Sequence, residues 1–363
     1  MLDRIHPREI DWVLIGLLLV NSAIGLVLIQ SASNFLHGGF AVKQALWILV
    51  SLLLLLLLLT VDYKILMSLA PYAYAFLMLV LLAILVLGKV ERGHKSWIGL
   101  AFMGGQPSEL IKVVVILMLA RVFAEFKASY VTAPATILSG AVTAGPLLLV
   151  AIQPDLGTAM SILPIWLGSL VLAGLNRRTL VIFLIALVVL SFISWQFLLK
   201  DYQKTRLKTI VDPLQDPRGS GYHVLQSKIA IGSGGLLGKG YMKGSQSQLR
   251  FLPARHTDFI FSVLGEEFGF LGVCVVLGAF FLLLARIFRA VGQTSDRAGL
   301  YIVFLCGCMI AFPFLVNVLM IIGLFPVTGV PIPLLSYGGS SLLSTYLAVG
   351  LVANVKLRRF AYD

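Results

Sequence analysis

Five acidic side chains, Glu109, Asp155, Asp258, Glu266 and Glu267, lie inside or at the edges of long hydrophobic blocks. An ionisable group at membrane depth costs a few kcal/mol or more, so by default it faces a cavity or a partner and marks a functional site. Asp258 is the best placed for acid–base work. It closes a long polar segment in Pro253-Ala254-Arg255-His256-Thr257-Asp258-Phe259 and opens an apolar span, at a membrane–water boundary beside Arg255. A carboxylate there is accessible enough to take a proton from an arriving substrate. The competing role is a cap, because helix N-termini favour aspartate.

Glu109 and Lys112 are three residues apart and share a helix face, so they can neutralise each other. The pair is either an internal lock on helix position or a charged cavity wall whose lysine meets a phosphate. Pro107 is a plausible helix entry and Ser108 a plausible cap. Asp155, in Gln153-Pro154-Asp155-Leu156-Gly157, either caps the next helix or faces substrate. Glu266 and Glu267 are consecutive and point about 100° apart, so at least one must turn away from lipid toward another helix. The glycines at 232, 234, 235, 238 and 240 lack the Lys-Ser/Thr of a phosphate loop and suit tight folding near the membrane, with Lys239 able to reach a lipid phosphate. Tyr222 to Ile231 offers a short amphipathic helix that could lie on the membrane surface. Between 313 and 341, Pro313, Asn317, Gly323, Pro326, Gly329, Pro331 and Pro333 interrupt the apolar pattern. Irregular backbone at that depth must be buried in protein or line a cavity, here ending in Ser336-Tyr337-Gly338-Gly339.

The elements that hold these residues follow from composition. Of 363 residues, 59% are hydrophobic and 12% charged, with a mean hydropathy of +0.98. Soluble domains carry roughly a quarter charged residues, so the chain reads as an all-α polytopic membrane protein. Ten transmembrane segments are predicted: 12–31, 44–60, 65–87, 108–123, 135–152, 156–174, 179–199, 258–288, 299–325 and 340–355. The first exceeds the about 7 to 15 apolar residues of a cleavable signal and reads as retained. An even count with Arg4, Arg8, Arg177, Arg178 and Lys356 on one side puts both termini in the cytoplasm. The whole chain, 1–363, then forms one integral-membrane domain with a large extracytoplasmic loop at 200–257. That loop holds ten basic and three acidic residues, much of the chain's net charge of +12, and suggests an anionic partner such as a diphosphate or lipid headgroup. Cys274, Cys306 and Cys308 sit in apolar blocks and read as packing residues, and the five histidines show no zinc spacing.

Longer motifs carry a resemblance. Gly221-Tyr222, Gln226-Ser227, Ile229-Ala230-Ile231-Gly232-Ser233-Gly234-Gly235, Gly238-Lys239-Gly240 and His256-Thr257-Asp258-Phe259 resemble the SEDS family strongly. So do Ser96-Trp97-Ile98, Gln106-Pro107-Ser108-Glu109, Gln153-Pro154-Asp155-Leu156-Gly157-Thr158, Gly323-Leu324-Phe325-Pro326-Val327-Thr328-Gly329 and Leu335-Ser336-Tyr337-Gly338-Gly339-Ser340-Ser341. The match runs from about residue 96 to the C-terminus and is closest on the rod-shape, elongation branch.

The resemblance implies a SEDS-type bundle and a bacterial inner-membrane glycosyltransferase that polymerises lipid II on the outer side of the membrane. It implies work with a class B penicillin-binding protein and other elongation-complex proteins, and no nucleic acid. Asp258 matches the family's catalytic aspartate, Glu109 and Lys112 its charged pair and Trp97 its loop tryptophan; the family often has a glutamate where this chain has Ala254. Lys112, Arg206 and Lys239 become candidates to hold the diphosphate, with Glu109, Trp97, Asp155 and Ser336 also in the substrate site. No protein-only metal site is expected, although a divalent cation, Mg or Mn, could accompany the diphosphate. A lipid-precursor flippase uses similar intramembrane charges and broken helices, and a non-catalytic scaffold that activates a transpeptidase is the third reading.

Overall fold

The computed structural model describes residues 9–34, 39–87, 89–91, 94–97, 106–126, 131–174, 181, 185, 189, 196–197, 201–212, 216, 219–252 and 254–359. The long helices are α1 (Trp12–Ala32), α2 (Phe40–Thr60), α3 (Tyr63–Leu87), α4 (Pro107–Glu125), α5 (Ala133–Ile152) and α6 (Leu156–Leu172). A short antiparallel hairpin, β1 (Lys89–Glu91) and β2 (His94–Trp97), lies between α3 and α4. In the 200–257 loop come α7 (Asp201–Val211), α8 (Ser220–Gly234) and α9 (Ser245–Gln248), then α10 (Ile260–Val291), α11 (Arg297–Ile321) and α12 (Gly339–Leu357). Nine of the ten expected spans coincide with described helices; the tenth, 179–199, lies outside the described residues apart from five positions. Seven described helices are long and apolar enough to cross a membrane. α6 is shorter, at 17 residues, and α4 keeps Glu109, Lys112, Arg121 and Glu125 along its length.

The helices start where the side chains can take up their free amides. Asp11 accepts from Leu14 N at 3.1 Å, Asp155 from Thr158 N at 3.1 Å and Asp296 from Gly299 N at 3.2 Å. The outside of the bundle is apolar, and its largely apolar interior also holds polar side chains. Leu53, Leu57 and Phe76 are exposed, as suits a lipid-facing surface, whereas Asn21, Ser22, Gln44, Ser51, Asn317 and Asn354 are buried. Buried small and polar residues let helices approach closely and bond across their interfaces. Ser22 Oγ, for instance, meets Tyr346 Oη at 2.9 Å between α1 and α12.

At one end of the bundle Asp11 is held by Arg286 at 2.9 Å and Lys356 at 2.6 Å, tying the start of α1 to the ends of α10 and α12. Burial opposes its ionisation, but bonds from Arg286, Lys356 and Leu14 N outweigh it and hold the carboxyl below its ordinary value. A depressed carboxylate stabilises the fold above the pKa of the unfolded chain and loses that contribution as pH falls through its own lower value. Asp11→Asn is therefore expected to cost about 3 kcal/mol at pH 7, the low end for a broken buried pair. The loss should shrink as pH drops below about 4, where the unfolded carboxyl itself protonates. Thermal unfolding of both proteins across pH 3 to 7 checks this.

α10 breaks at Gly269, where φ is 62° and ψ is −164°. The break releases the amides of Phe270 and Leu271 and the carbonyls of Glu266 and Glu267 from their i→i−4 bonds. The glycine-rich loop takes up all four. Phe270 N donates to Gly235 O at 2.9 Å and Leu271 N to Leu236 O at 3.1 Å, while Lys239 N and Gly240 N donate to Glu266 O and Glu267 O at 3.0 and 2.9 Å. A side chain at Gly238 would collide with the Glu267 backbone. The glycines thus serve backbone approach, in line with the tight-folding reading, and α8 lies packed on α10.

Candidate functional site

The region around Asp258 is built from the turn before α10 and the irregular chain between α11 and α12. α10 begins at Ile260 with Phe259 at its cap position and no side-chain capping bond, so Asp258 is not the helix cap. Instead, three successive carbonyls of its turn are pinned from the far end of the sequence. Tyr337 N donates to His256 O at 2.9 Å, Ser336 Oγ to Thr257 O at 2.7 Å, and Asn317 Nδ2 to Asp258 O at 2.9 Å. Ser336 Oγ also accepts from Ile332 N at 2.9 Å. Its hydroxyl thus shapes the turn that carries Asp258. Gly329, at φ 71°, lies beside the carboxylate: a Cβ there would stand 3.6 Å from Asp258 Oδ2.

One residue further on, Val330 enters the wall of a small polar cavity. Glu109 and Lys112 line it, with Thr158, Ser161, Ser344 and Thr345. The expected pair forms: Lys112 Nζ lies 2.8 Å from Glu109 Oε2 and 2.9 Å from Oε1, with both residues almost wholly buried. Ser344 Oγ donates to Glu109 Oε2 at 3.0 Å. Among the described residues Glu109 is the sole hydrogen-bond partner of the Lys112 ammonium. An ammonium has three N–H groups, so donors remain for an anion in the cavity. The structure thus groups Glu109 and Lys112 and sets Asp258 behind the Gly329–Val330 backbone rather than in the cavity lining.

Asp155 caps α6 through Oδ1, as the sequence allowed, and its Oδ2 accepts from Gln106 Nε2 at 2.6 Å. That bond joins the starts of α4 and α6, the two helices that carry Lys112 and Ser161 to the cavity. Gln106 itself holds the N-cap position of α4 with Pro107 at its first turn, so Ser108 is not the cap; its buried Oγ has no partner among the described residues. A side chain at Gly157 would run into Thr328 O, which explains why α6 can pack so closely under the 324–338 chain.

Arg206, on α7, reaches Val327 O with Nη1 at 3.1 Å and so stands close to the Asp258 turn. His223 lies between it and Phe259, ring centroids 5.9 Å apart. Burial lowers the His223 pKa, the Asp216 carboxylate pulls it up and the Arg206 guanidinium pushes it down, with a net fall that leaves it neutral at pH 7. The positive charge brought to this corner is therefore that of Arg206.

Lys239 and Arg255 both make bonds inside the protein. Lys239 Nζ bonds Glu266 Oε1 at 2.9 Å and Ser245 Oγ at 2.7 Å, neutralising a fully buried carboxylate that also accepts from Gln246 N and Ser247 N. Desolvating a lone carboxylate is costly enough to recruit that lysine. Arg255 turns inward to Ala32 O and Ser247 O, away from any arriving substrate. Glu267 accepts from Ser31 Oγ of α1 at 2.6 Å, the interhelical partner expected of the two glutamates. Trp97 ends β2, and its side chain lies outside the described residues. No group of three or more His, Cys, Asp or Glu that could hold a metal occurs among the described residues, and all three cysteines are free. Sequence reading missed Gln106 and Ser344. Ser341, Ser344 and Thr345 recurring on one face of apolar α12 was the signal that could have found the second.

The chain matches the FtsW/RodA/SpoVE model, described as cell cycle protein, over residues 10–360. It is 37% identical over 359 residues to peptidoglycan glycosyltransferase MrdB of Escherichia coli (strain K12), covering 98% of this chain and 95% of that one. Among solved structures, a chain from work on polymerization and crosslinking by a peptidoglycan synthase complex superposes with a TM-score of 0.83 at 35% identity, covering 97% of this chain and 98% of that one. The crystal structure of rod shape determining protein RodA from Thermus thermophilus gives 0.72 at 29% identity with the same coverage.

Proposed function

The chain belongs to the FtsW/RodA/SpoVE family of cell cycle proteins, and from that membership we propose that it is a peptidoglycan glycosyltransferase that uses Asp258 as general base. It is a multi-pass membrane enzyme. Its substrate is lipid II, and the site opens on the outer side of a bacterial inner membrane, with both termini in the cytoplasm. The 4-hydroxyl of the acceptor GlcNAc gives its proton to Asp258 as its oxygen bonds the anomeric carbon of the donor MurNAc. The bond from that carbon to undecaprenyl diphosphate breaks, with inversion.

The observation that carries this reading is the Asp258 turn, pinned through three carbonyls beside a cavity that contains Lys112. A base held by its backbone loses little time or entropy in finding its proton. Lys112 and Arg206 hold the departing diphosphate, where positioned cations lower the barrier most. Lys239 keeps one N–H beyond its bonds to Glu266 and Ser245 and is a third cation for the same diphosphate. The described residues offer no resident metal cluster, so a divalent cation, Mg or Mn, would arrive with the diphosphate; no step depends on it. The partner is a class B penicillin-binding protein, which crosslinks the product strand.

The test is the purified chain in lipid nanodiscs with lipid II, with and without that partner. Glycan chains resolved by size are the expected product. In sealed vesicles, movement of labelled lipid II across the bilayer without polymer would instead support a flippase. Crosslinking by the partner, enhanced by this chain while glycan synthesis is absent, would support a scaffold.

A further inference from the structure

We infer that Asn317 is a positioning residue, a single buried amide that couples the general-base turn to the cavity wall; this rests on the glycosyltransferase reading above. Asn317 is fully buried on α11, one turn beyond Pro313, which itself lines the cavity. Its Nδ2 donates to Asp258 O at 2.9 Å and to Val330 O at 2.6 Å. Those carbonyls belong to the two segments whose relative placement decides whether proton acceptor and diphosphate cations face one substrate. Two acceptors on one side settle the amide orientation, since an oxygen there would oppose both of them.

The other end of the amide shows what it is for. Asn317 Oδ1 is buried and has no partner among the described residues, which costs stability because the group is removed from water without a hydrogen bond in return. Asn354, at the opposite end of the bundle, makes the same paired donation, to Leu58 O at 2.7 Å and Val61 O at 2.6 Å. There Oδ1 is used as well, accepting from Tyr63 N at 3.2 Å and Arg358 Nη1 at 2.8 Å. Asn354 is a brace with every group satisfied. Asn317 keeps its two donor bonds at the expense of an unmet acceptor, which suits a residue retained for geometry at a site rather than for stability.

The pair supplies its own control. Asn317→Ala and Asn354→Ala each strip donors from two buried carbonyls, so both are expected to lower thermal stability. Per folded molecule in nanodiscs with lipid II and the penicillin-binding protein, Asn317→Ala should lose about 10- to 100-fold in kcat with KM within about threefold, as expected for a misplaced base. Asn354→Ala should keep wild-type kcat. Equal kcat losses in the two, or a wild-type kcat in Asn317→Ala, would overturn the assignment. If Asn317→Ala does not fold, Asn317→Ser, which retains a small donor, takes its place; a kcat below wild type is expected, and an unchanged kcat refutes the proposal. Wild-type protein that makes no glycan would instead count against the glycosyltransferase reading itself.

Discussion

Asp258→Asn is expected to reduce lipid II polymerisation by about 10²- to 10⁴-fold, the usual contribution of a positioned general base. The substitution keeps size and shape while removing the proton acceptor. Folding should survive, because Asp258 is tied into the protein through its backbone carbonyl and does not cap α10. Near-normal turnover in a stable variant would mean that this carboxylate takes no proton. Product chain length and turnover, measured beside melting temperature, separate these outcomes.

Removing the Glu109–Lys112 pair one charge at a time and then together should give opposite effects on stability and the same effect on activity. Lys112→Ala alone leaves the Glu109 carboxylate buried with only Ser344 to answer it, and is expected to cost about 3–5 kcal/mol. The double variant, Glu109→Gln with Lys112→Met, removes both charges, keeps a bond partner for Ser344 and fills the lysine's volume. Replacing a buried pair in this way is often neutral or stabilising, so thermal unfolding should return to near the wild-type value. Polymerisation should not return, because the cation that meets the diphosphate is gone; a loss of about 10²- to 10³-fold is expected, as for removal of one preorganised charge-stabilising group. A double variant with restored stability and full activity would reduce the pair to a helix lock.

Much of this architecture could be read in advance where neighbours in sequence are neighbours in space. Apolar length foretold nine of the described helices, and the spacing of Glu109 and Lys112 foretold their 2.8 Å contact, because three residues on a helix bring side chains to one face. Asp155 as the cap of α6 was one of the two roles that a Pro-Asp turn before an apolar run allowed. What could not be read in advance has one cause, which is that a side chain's partner can come from anywhere in the chain. Lys239, a candidate for a lipid phosphate, also neutralises Glu266, 27 residues on and fully buried, which its own surroundings in sequence do not reveal. Arg255 is three residues from Asp258 in sequence, yet its bonds go to α1 and α9. Ser336, which the resemblance puts in the substrate site, also shapes the turn that holds the base, through bonds to residues far from it in sequence.

The sequence by itself determined a membrane bundle, a boundary carboxylate at 258 and an ion pair inside α4, because hydropathy, helix periodicity and capping act over a few residues. Only the tertiary structure decided which groups remain available for chemistry. Every buried carbonyl, amide and charge must find a partner away from water, and those partners are recruited across the bundle: Asn317 and Ser336 to the Asp258 turn, Gln106 to Asp155, Lys239 to Glu266. The donors of Lys112 that no neighbour in the described bundle takes up are what that accounting leaves for a substrate.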